Sequence, residues 1–316
     1  MKKMFLVLRM LGAACVVPHV AAGQRLPVID VHLHAYANVP PGVQAAGMVG
    51  RPEAQKLVGP NDAETHLRAT LAEMDRYNVV LGVVSGPEVV LRAWHKAAPG
   101  RFIGGLFSGN DGLPEQSVEA LRLLVKEGVV GVLGELPLQY FGLAPDDSRL
   151  APYYDYLEES GVPVALHTGL GPPGMPHTTH PRFRVTLGRP TLLEPVIAGR
   201  PALRGYLMHA GWPYLEETIA MMYMYPSLYA DIGALAWAIP LDAFHTALRT
   251  LVEAGFGERL LFGTDQMYWP GAIGIAIETI EAVPFLSAKQ KRDILYNNAA
   301  RFLKLSDEQI AAHHGR

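Results

Sequence analysis

One cysteine in 316 residues, Cys15, leaves no partner for an internal disulfide. It also excludes a cysteine nucleophile or a cysteine-ligated zinc ribbon anywhere beyond position 15. Charge is sparse too. Charged residues make up 18% of the chain, 27 basic against 30 acidic, for a net −3. No excess of positive charge is available for a nucleic-acid surface. With 49% of residues hydrophobic, disorder is excluded as the main state. A chain of about 300 residues can bury roughly three-quarters of its unfolded surface, enough for one large core or two modest ones. The nucleophile elbow GxSxG is missing as well, since Gly82-Val-Val-Ser85-Gly86 has the wrong spacing.

The first residues read as an address. Met1-Lys2-Lys3 is a short basic start, Met4–Leu8 and Met10–Val17 are almost wholly apolar, and Val20-Ala21-Ala22 places small residues before Gly23. That pattern predicts a secretory signal, residues 1–22, and an exported, periplasmic mature chain. The apolar stretch is too short for a stable membrane span. A mature chain from 23 to 316 would hold no cysteine, which suits an oxidising compartment.

Short, continuously apolar runs recur with helical patterns between them. The expected strands are Val28–His32, Val79–Val84, Phe102–Phe107, Val129–Gly134, Pro163–Leu166, Gly205–His209, Leu228–Ile232 and Leu260–Gly263. Expected helices cover Glu64–Tyr77, Pro87–Ala98, Glu115–Glu127, Pro152–Ser160, Leu192–Ala198, Pro213–Met224, Asp242–Ala254, Pro270–Ala282 and Ala288–Leu303. Asn61 or Asp62 is placed to cap the first, and Gly128, Gly161 and Gly199 to end three others. Eightfold alternation predicts a single α/β domain, a (β/α)8 TIM barrel, with a doubly wound open sheet as the alternative. Two long loops, Ala35–Pro60 and Gly169–Gly188, each follow a strand. In a barrel such loops lie on the catalytic face.

Donor side chains gather where those strands end. His32 and His34 in Asp30-Val-His32-Leu-His34 are two apart and point the same way from an extended strand. Glu135 follows the fourth strand, His167 the fifth, His209 ends the sixth and Asp265 follows the eighth. Each alone reads as an ordinary hydrogen-bonded residue. In a closed barrel the six converge on one end and make a shared metal site. Gly169-Leu-Gly-Pro-Pro-Gly174 matches a dinucleotide fingerprint only formally, because prolines fill its variable positions and no helix pattern follows.

The chain resembles the amidohydrolase superfamily, and within it the amidohydrolase-2 group of metal-dependent TIM-barrel hydrolases. The resemblance rests on Asp30-Val-His32-Leu-His34, Pro163-Val-Ala-Leu-His167-Thr-Gly169, Met208-His209-Ala-Gly211, Phe262-Gly263-Thr-Asp265 and the ending Asn297-Asn-Ala-Ala-Arg-Phe302. It implies that His32, His34 and Asp265 bind one metal and that His167 and His209 bind a second. Many relatives bridge the two with a carboxylated lysine where this chain has Glu135, so one or two ions stay open. Ligand type favours zinc, with manganese, iron or cobalt as alternatives. Asp265 is the expected proton carrier, and His209 is expected to act on the substrate carbonyl if it is not a ligand.

The function expected is hydrolysis of a C–O or C–N bond of a small molecule: an ester, lactone or amide. The alternative is metal-dependent decarboxylation of a small aromatic or unsaturated acid, as in some relatives. Arg182 and Arg184 are candidates to hold a substrate anion, and Trp212, Trp237 and Tyr268 to line an apolar pocket. The expected partner is a small-molecule substrate and not a nucleic acid; a homo-oligomer stays open, with nothing in the sequence to identify its surface.

Overall fold

The computed structural model describes residues 25–45 and 50–315; the expected export signal lies outside them. Eight strands occur where the apolar runs predict them: β1 (Val28–His34), β2 (Val79–Gly86), β3 (Phe102–Leu106), β4 (Val132–Leu136), β5 (Val164–His167), β6 (Gly205–Met208), β7 (Leu228–Asp231) and β8 (Leu260–Leu261). They form one all-parallel sheet in sequence order. Helices α1 (Ala63–Arg76), α2 (Glu88–Ala97), α3 (Val118–Lys126), α4 (Ala151–Ser160), α5 (Glu194–Ala198), α6 (Leu215–Met224), α7 (Leu235–Ala238), α8 (Leu241–Leu251) and α9 (Ala272–Ala282) occupy the connections. α10 (Ala288–Arg292), a π-turn at 293–297, α11 (Asn298–Phe302) and α12 (Asp307–His314) close the chain. The architecture is a nearly closed TIM barrel.

Local chemistry sets the element ends. Asp62, rather than Asn61, caps α1 by accepting the Thr65 N–H at 2.7 Å. Gly161 ends α4 in the left-handed region, φ +71°. Gly128, φ +72°, lets the N–H groups of Val129 and Val130 turn back onto the Leu124 carbonyl. Those two valines therefore belong to the turn that closes α3 instead of starting β4, and Glu135 falls inside the strand rather than after it. α7 and α12 are too short, or too weakly amphipathic, to show as apolar periodicity.

The seam between β8 and β1 is closed differently from the rest. β8 contributes only two residues to the ladder. Beyond it, Val31 N–H donates to the Phe262 carbonyl at 2.9 Å and Asp265 N–H to the His32 carbonyl at 2.7 Å. Between those bonds the Asp30 carboxylate accepts the N–H of His32 (3.0 Å), the N–H of Thr264 (2.9 Å) and the Thr264 hydroxyl. Asp30 is fully buried, and burial pushes its carboxyl up to about 7 against the pull of those bonds. A carboxylate thus supplements the two backbone bonds at the seam where the strand ladder is shortest.

Apolar packing secures the rest. Leu91 and Trp94 of α2 and Leu121 and Leu124 of α3 are buried in the same cluster as strand residues Val84, Phe102 and Leu133. A second cluster joins Ile29, Val31, Val132, Tyr206 and Met208 to Tyr296 and Phe302 of the terminal helical segment. None of the described helices is long and apolar enough to cross a membrane.

Asp30→Ala is expected to strand two buried N–H groups and a hydroxyl, at about 1–3 kcal/mol each. The exposed cap variant Ser287→Ala should lose only about 1 kcal/mol. Urea unfolding of both variants checks this; equal losses would show that Asp30 does not hold the seam.

Candidate active site

Five strands carry the six candidate ligands to the carboxyl end of the barrel, His32 and His34 sharing β1, and backbone conformation there is unusual. His209 and Asp265 lie in the left-handed region at φ +58° and +52°. Non-glycine residues hold such conformations only where surrounding bonds over-determine them. For His209 those bonds come from Asp231, the last residue of β7, whose carboxylate accepts the His209 N–H at 2.9 Å and the Gly233 N–H at 2.8 Å. Its other oxygen holds His32 Nδ1 at 2.9 Å. A carboxylate accepts, so His32 carries its hydrogen on Nδ1 and turns Nε2 inward. The Gly233 carbonyl accepts from His209 Nδ1 at 2.9 Å and turns that ring's Nε2 inward as well. Gly233 must lack a side chain: a Cβ there would lie 2.4 Å from His32 Nδ1.

The inward-facing atoms meet the carboxylates of Glu135 and Asp265. His34 Nε2 lies 3.1 Å from Glu135 and 2.9 Å from Asp265. His32 Nε2 lies 3.5 Å from Glu135 and 3.6 Å from Asp265. His209 Nε2 lies 3.5 Å from Glu135 and 3.1 Å from His167 Nδ1, which itself bonds Glu135 Oε1. His167 is held from behind by its Nε2 donating to the Leu170 carbonyl at 3.0 Å. Ser85 at the end of β2 orients Glu135, accepting its N–H at 2.8 Å while donating to the Gly134 carbonyl at 3.0 Å. All six candidate ligands are buried.

The electrostatics are those of a cation site. Burial alone would push His32 down, but Asp231, Asp265 and Glu135 carry it well above the usual imidazole range. Burial is likewise overcome at His34, which hydrogen bonds to Asp265 and Glu135 lift to about 9. Glu135 is held well below the carboxylate range despite burial, chiefly by His167 and His32, and Asp265 is lowered by His32 and His34. His32 Nε2 is buried without a hydrogen-bond partner. An orphaned imidazole nitrogen between two carboxylates fits a divalent ion. Two three-donor groups have their atoms within 4.8 Å of one another: His32–Glu135–His209 and His32–His34–Asp265. His167 belongs to neither.

The expected substrate-contacting residues separate. Tyr268 is half-buried and stacks on Tyr36, centroids 4.3 Å apart, and Tyr36 in turn stacks on His34 at 5.6 Å. Trp212 is half-buried just after the His209 turn. Trp237 is fully buried, donating from Nε1 to the Thr264 carbonyl at 2.8 Å, so it packs in the core and steadies the strand-8 end. Arg182 and Arg184 are both exposed. Arg184 donates to the Pro181 and Phe183 carbonyls of its own loop, and Arg182 stands over the Phe141 ring. Neither arginine has a contact with the donor cluster. Tyr140 reaches it instead, edge-on to His167 at 4.9 Å.

Sequence reasoning passed over Asp231, Tyr36, Ser85 and Gln266. Asp231 carried a usable signal, since it is a donor at the carboxyl end of a strand like the six candidates; Tyr36 and Ser85 carried none.

A family model described as amidohydrolase matches residues 29–305. The fluG protein of Emericella nidulans is 27% identical over 166 residues, a stretch that takes up 48% of this chain but 18% of that protein. Among solved structures, a probable 2-pyrone-4,6-dicarboxylic acid hydrolase from Acinetobacter baumannii is similar at 16% identity and TM-score 0.62, covering 89% of this chain and all of that one. A dihydroxybenzoic acid decarboxylase from Polaromonas, with bound manganese, is similar at 16% identity and TM-score 0.55, covering 90% and 99%. Likeness at this identity speaks for the fold. The match over most of its length shows that the chain belongs to the amidohydrolase family and is an enzyme of the amidohydrolase superfamily.

Proposed function

We propose that the protein is an exported metal-dependent hydrolase that cleaves a C–O or C–N bond, in an ester, lactone or amide, of a small substrate. The observation that carries this reading is His32 Nε2, shared by two donor groups with Glu135 on one side and Asp265 on the other. His32, His34 and Asp265 would hold one divalent ion, and Glu135, His167 and His209 would hold or flank a second. Zinc is the expected ion. A divalent metal there acidifies water and polarises a carbonyl.

The chain's own groups then divide the proton work. Asp265 is a carboxylate kept ionised by neighbouring imidazoles. It takes the proton of the attacking water as the C–O or C–N electron pair leaves with the heteroatom, and it returns that proton to the leaving group. His209, fixed by Gly233 and Asp231, turns Nε2 inward, and in its imidazolium form, which the neighbouring Glu135 and Asp265 carboxylates favour, it would donate from Nε2 to a carbonyl oxygen. Tyr36 lays its face on His34 and Tyr140 its edge on His167, with Tyr268 stacked behind Tyr36.

One observation favours the second reading, a decarboxylase of a small aromatic or unsaturated acid. His167 lies outside both compact donor groups, as a one-ion centre on His32, His34 and Asp265 would have it. The Polaromonas relative, of similar fold, is by its name a decarboxylase with bound manganese.

Asp265→Ala should lower kcat by at least about 10²-fold with the far-ultraviolet circular dichroism unchanged; a fully active variant would falsify the proton-carrier role. Stripped protein reloaded with zinc or manganese should hold two ions per chain, and Glu135→Ala fewer. One ion, unaffected by that variant, would move Glu135 away from the metal and favour decarboxylation. Turnover in ¹⁸O-water decides the reaction: hydrolysis puts label into the product of bond cleavage, whereas decarboxylation releases carbon dioxide and adds no oxygen to the organic product.

A further inference from the structure

Behind Asp265 lies a second layer of bonds that the proton chemistry does not use. Residues 265–269 carry two non-glycine residues in the left-handed region, Asp265 at φ +52° and Met267 at +45°. Hydrogen bonds and a ring stack hold this short segment. The Gln266 carboxamide accepts the His34 N–H at 2.9 Å and donates to the His34 carbonyl at 2.9 Å. His66, on α1, bonds the Met267 carbonyl through Nε2 at 2.8 Å. Trp269 donates its N–H to the Gln266 carbonyl at 2.7 Å, and the Tyr268 ring rests on Tyr36.

We propose that Gln266 and His66 are positioning residues that set the Asp265 carboxylate against His34. The proposal rests on the reading of Asp265 as a metal ligand. Gln266 reproduces with its side chain the paired bonds of a strand, one residue beyond the last backbone bond of the seam, Asp265 N–H to the His32 carbonyl. It therefore indexes the neighbour of Asp265 directly on the backbone of His34, whose Nε2 is 2.9 Å from the Asp265 carboxylate. Only an amide fits. Glutamate has the same shape but would set an acceptor, and a charge, against the His34 carbonyl at a site with no exposure.

His66 completes the hold. Its partner is a carbonyl, so Nε2 bears the hydrogen and the ring acts as a neutral donor; it is buried, with Tyr36 and Trp94 at 6.0 and 5.9 Å. Burial, with a smaller push from the His34 charge, brings it down to about 4 and keeps it neutral in ordinary buffers. Fixing Met267 from the α1 side leaves the left-handed turn no room to relax and carry Asp265 away.

The test uses the full-length protein loaded with cobalt(II), whose visible spectrum reports ligand geometry, together with zinc affinity from competition with a chromogenic chelator. Gln266→Glu and His66→Phe should each change the cobalt band and weaken zinc binding about 10- to 100-fold. His66→Gln, which keeps a donor, should recover part of the loss, and it keeps the question decidable if Gln266→Glu fails to fold. Lower Tm with an unchanged cobalt spectrum and unchanged zinc affinity overturns the proposal and leaves both residues merely structural. Asp265→Ala is the control: a spectrum identical to the parent's overturns the ligand reading itself, and the positioning proposal with it.

Discussion

A histidine offers a defined atom to a ligand only if its ring cannot turn, and the carboxylate of Asp231 imposes that on His32 from the end of β7. The same group fixes the backbone of His209 and of Gly233, whose carbonyl then fixes the His209 ring. Two imidazoles from β1 and β6 are thereby indexed on a third strand between β6 and β8. The arrangement needs the chain to pass very close to His32, which is why Gly233 and Gly263 stand there: a Cβ at Gly263 would lie 2.6 Å from the His32 Cβ. Asp231 is fully buried, and such a carboxylate is tolerable because all its bonds are made.

Charge balance gives the cluster its character. Asp231, Glu135 and Asp265 face His32, His34, His167 and His209, all of them buried. Protons on the imidazoles can neutralise the carboxylates, and this is what lifts His32 and His34. A divalent ion supplies the same charge at the inward nitrogens, so metal uptake and imidazole protonation compete for one set of atoms. His66 contrasts with these rings. It is equally buried but faces a carbonyl instead of a carboxylate, and burial wins.

Much of the fold was legible because parallel strands covered on both faces must be continuously apolar, and their connections must be amphipathic. The places of all eight strands and most helices followed from that. Ends were less legible. Whether Val129 belongs to α3 or β4 depends on which carbonyl its N–H finds, and that is the Leu124 carbonyl. Among candidate site residues the strand-end donors were readable by position. The substrate-contacting candidates were not, because an arginine or tryptophan in a loop has no periodicity to say which way it faces. Trp237 turned into the core, and Arg184 onto its own loop carbonyls.

The sequence by itself determined the alternation of strands and helices and where donor side chains stand along it, since apolar period and donor type are properties of the chain that need no partner. The order of the strands then carried those donors to one end. Tertiary structure alone decided which nitrogen of each ring faces inward, because that depends on hydrogen bonds from Asp231, Gly233 and Leu170, which lie 199, 24 and 3 residues from the rings they hold. It also decided that side chains join the backbone bonds in closing the β8–β1 seam. There Asp30 and Gln266 meet partners more than 200 residues away, a proximity that no local pattern encodes.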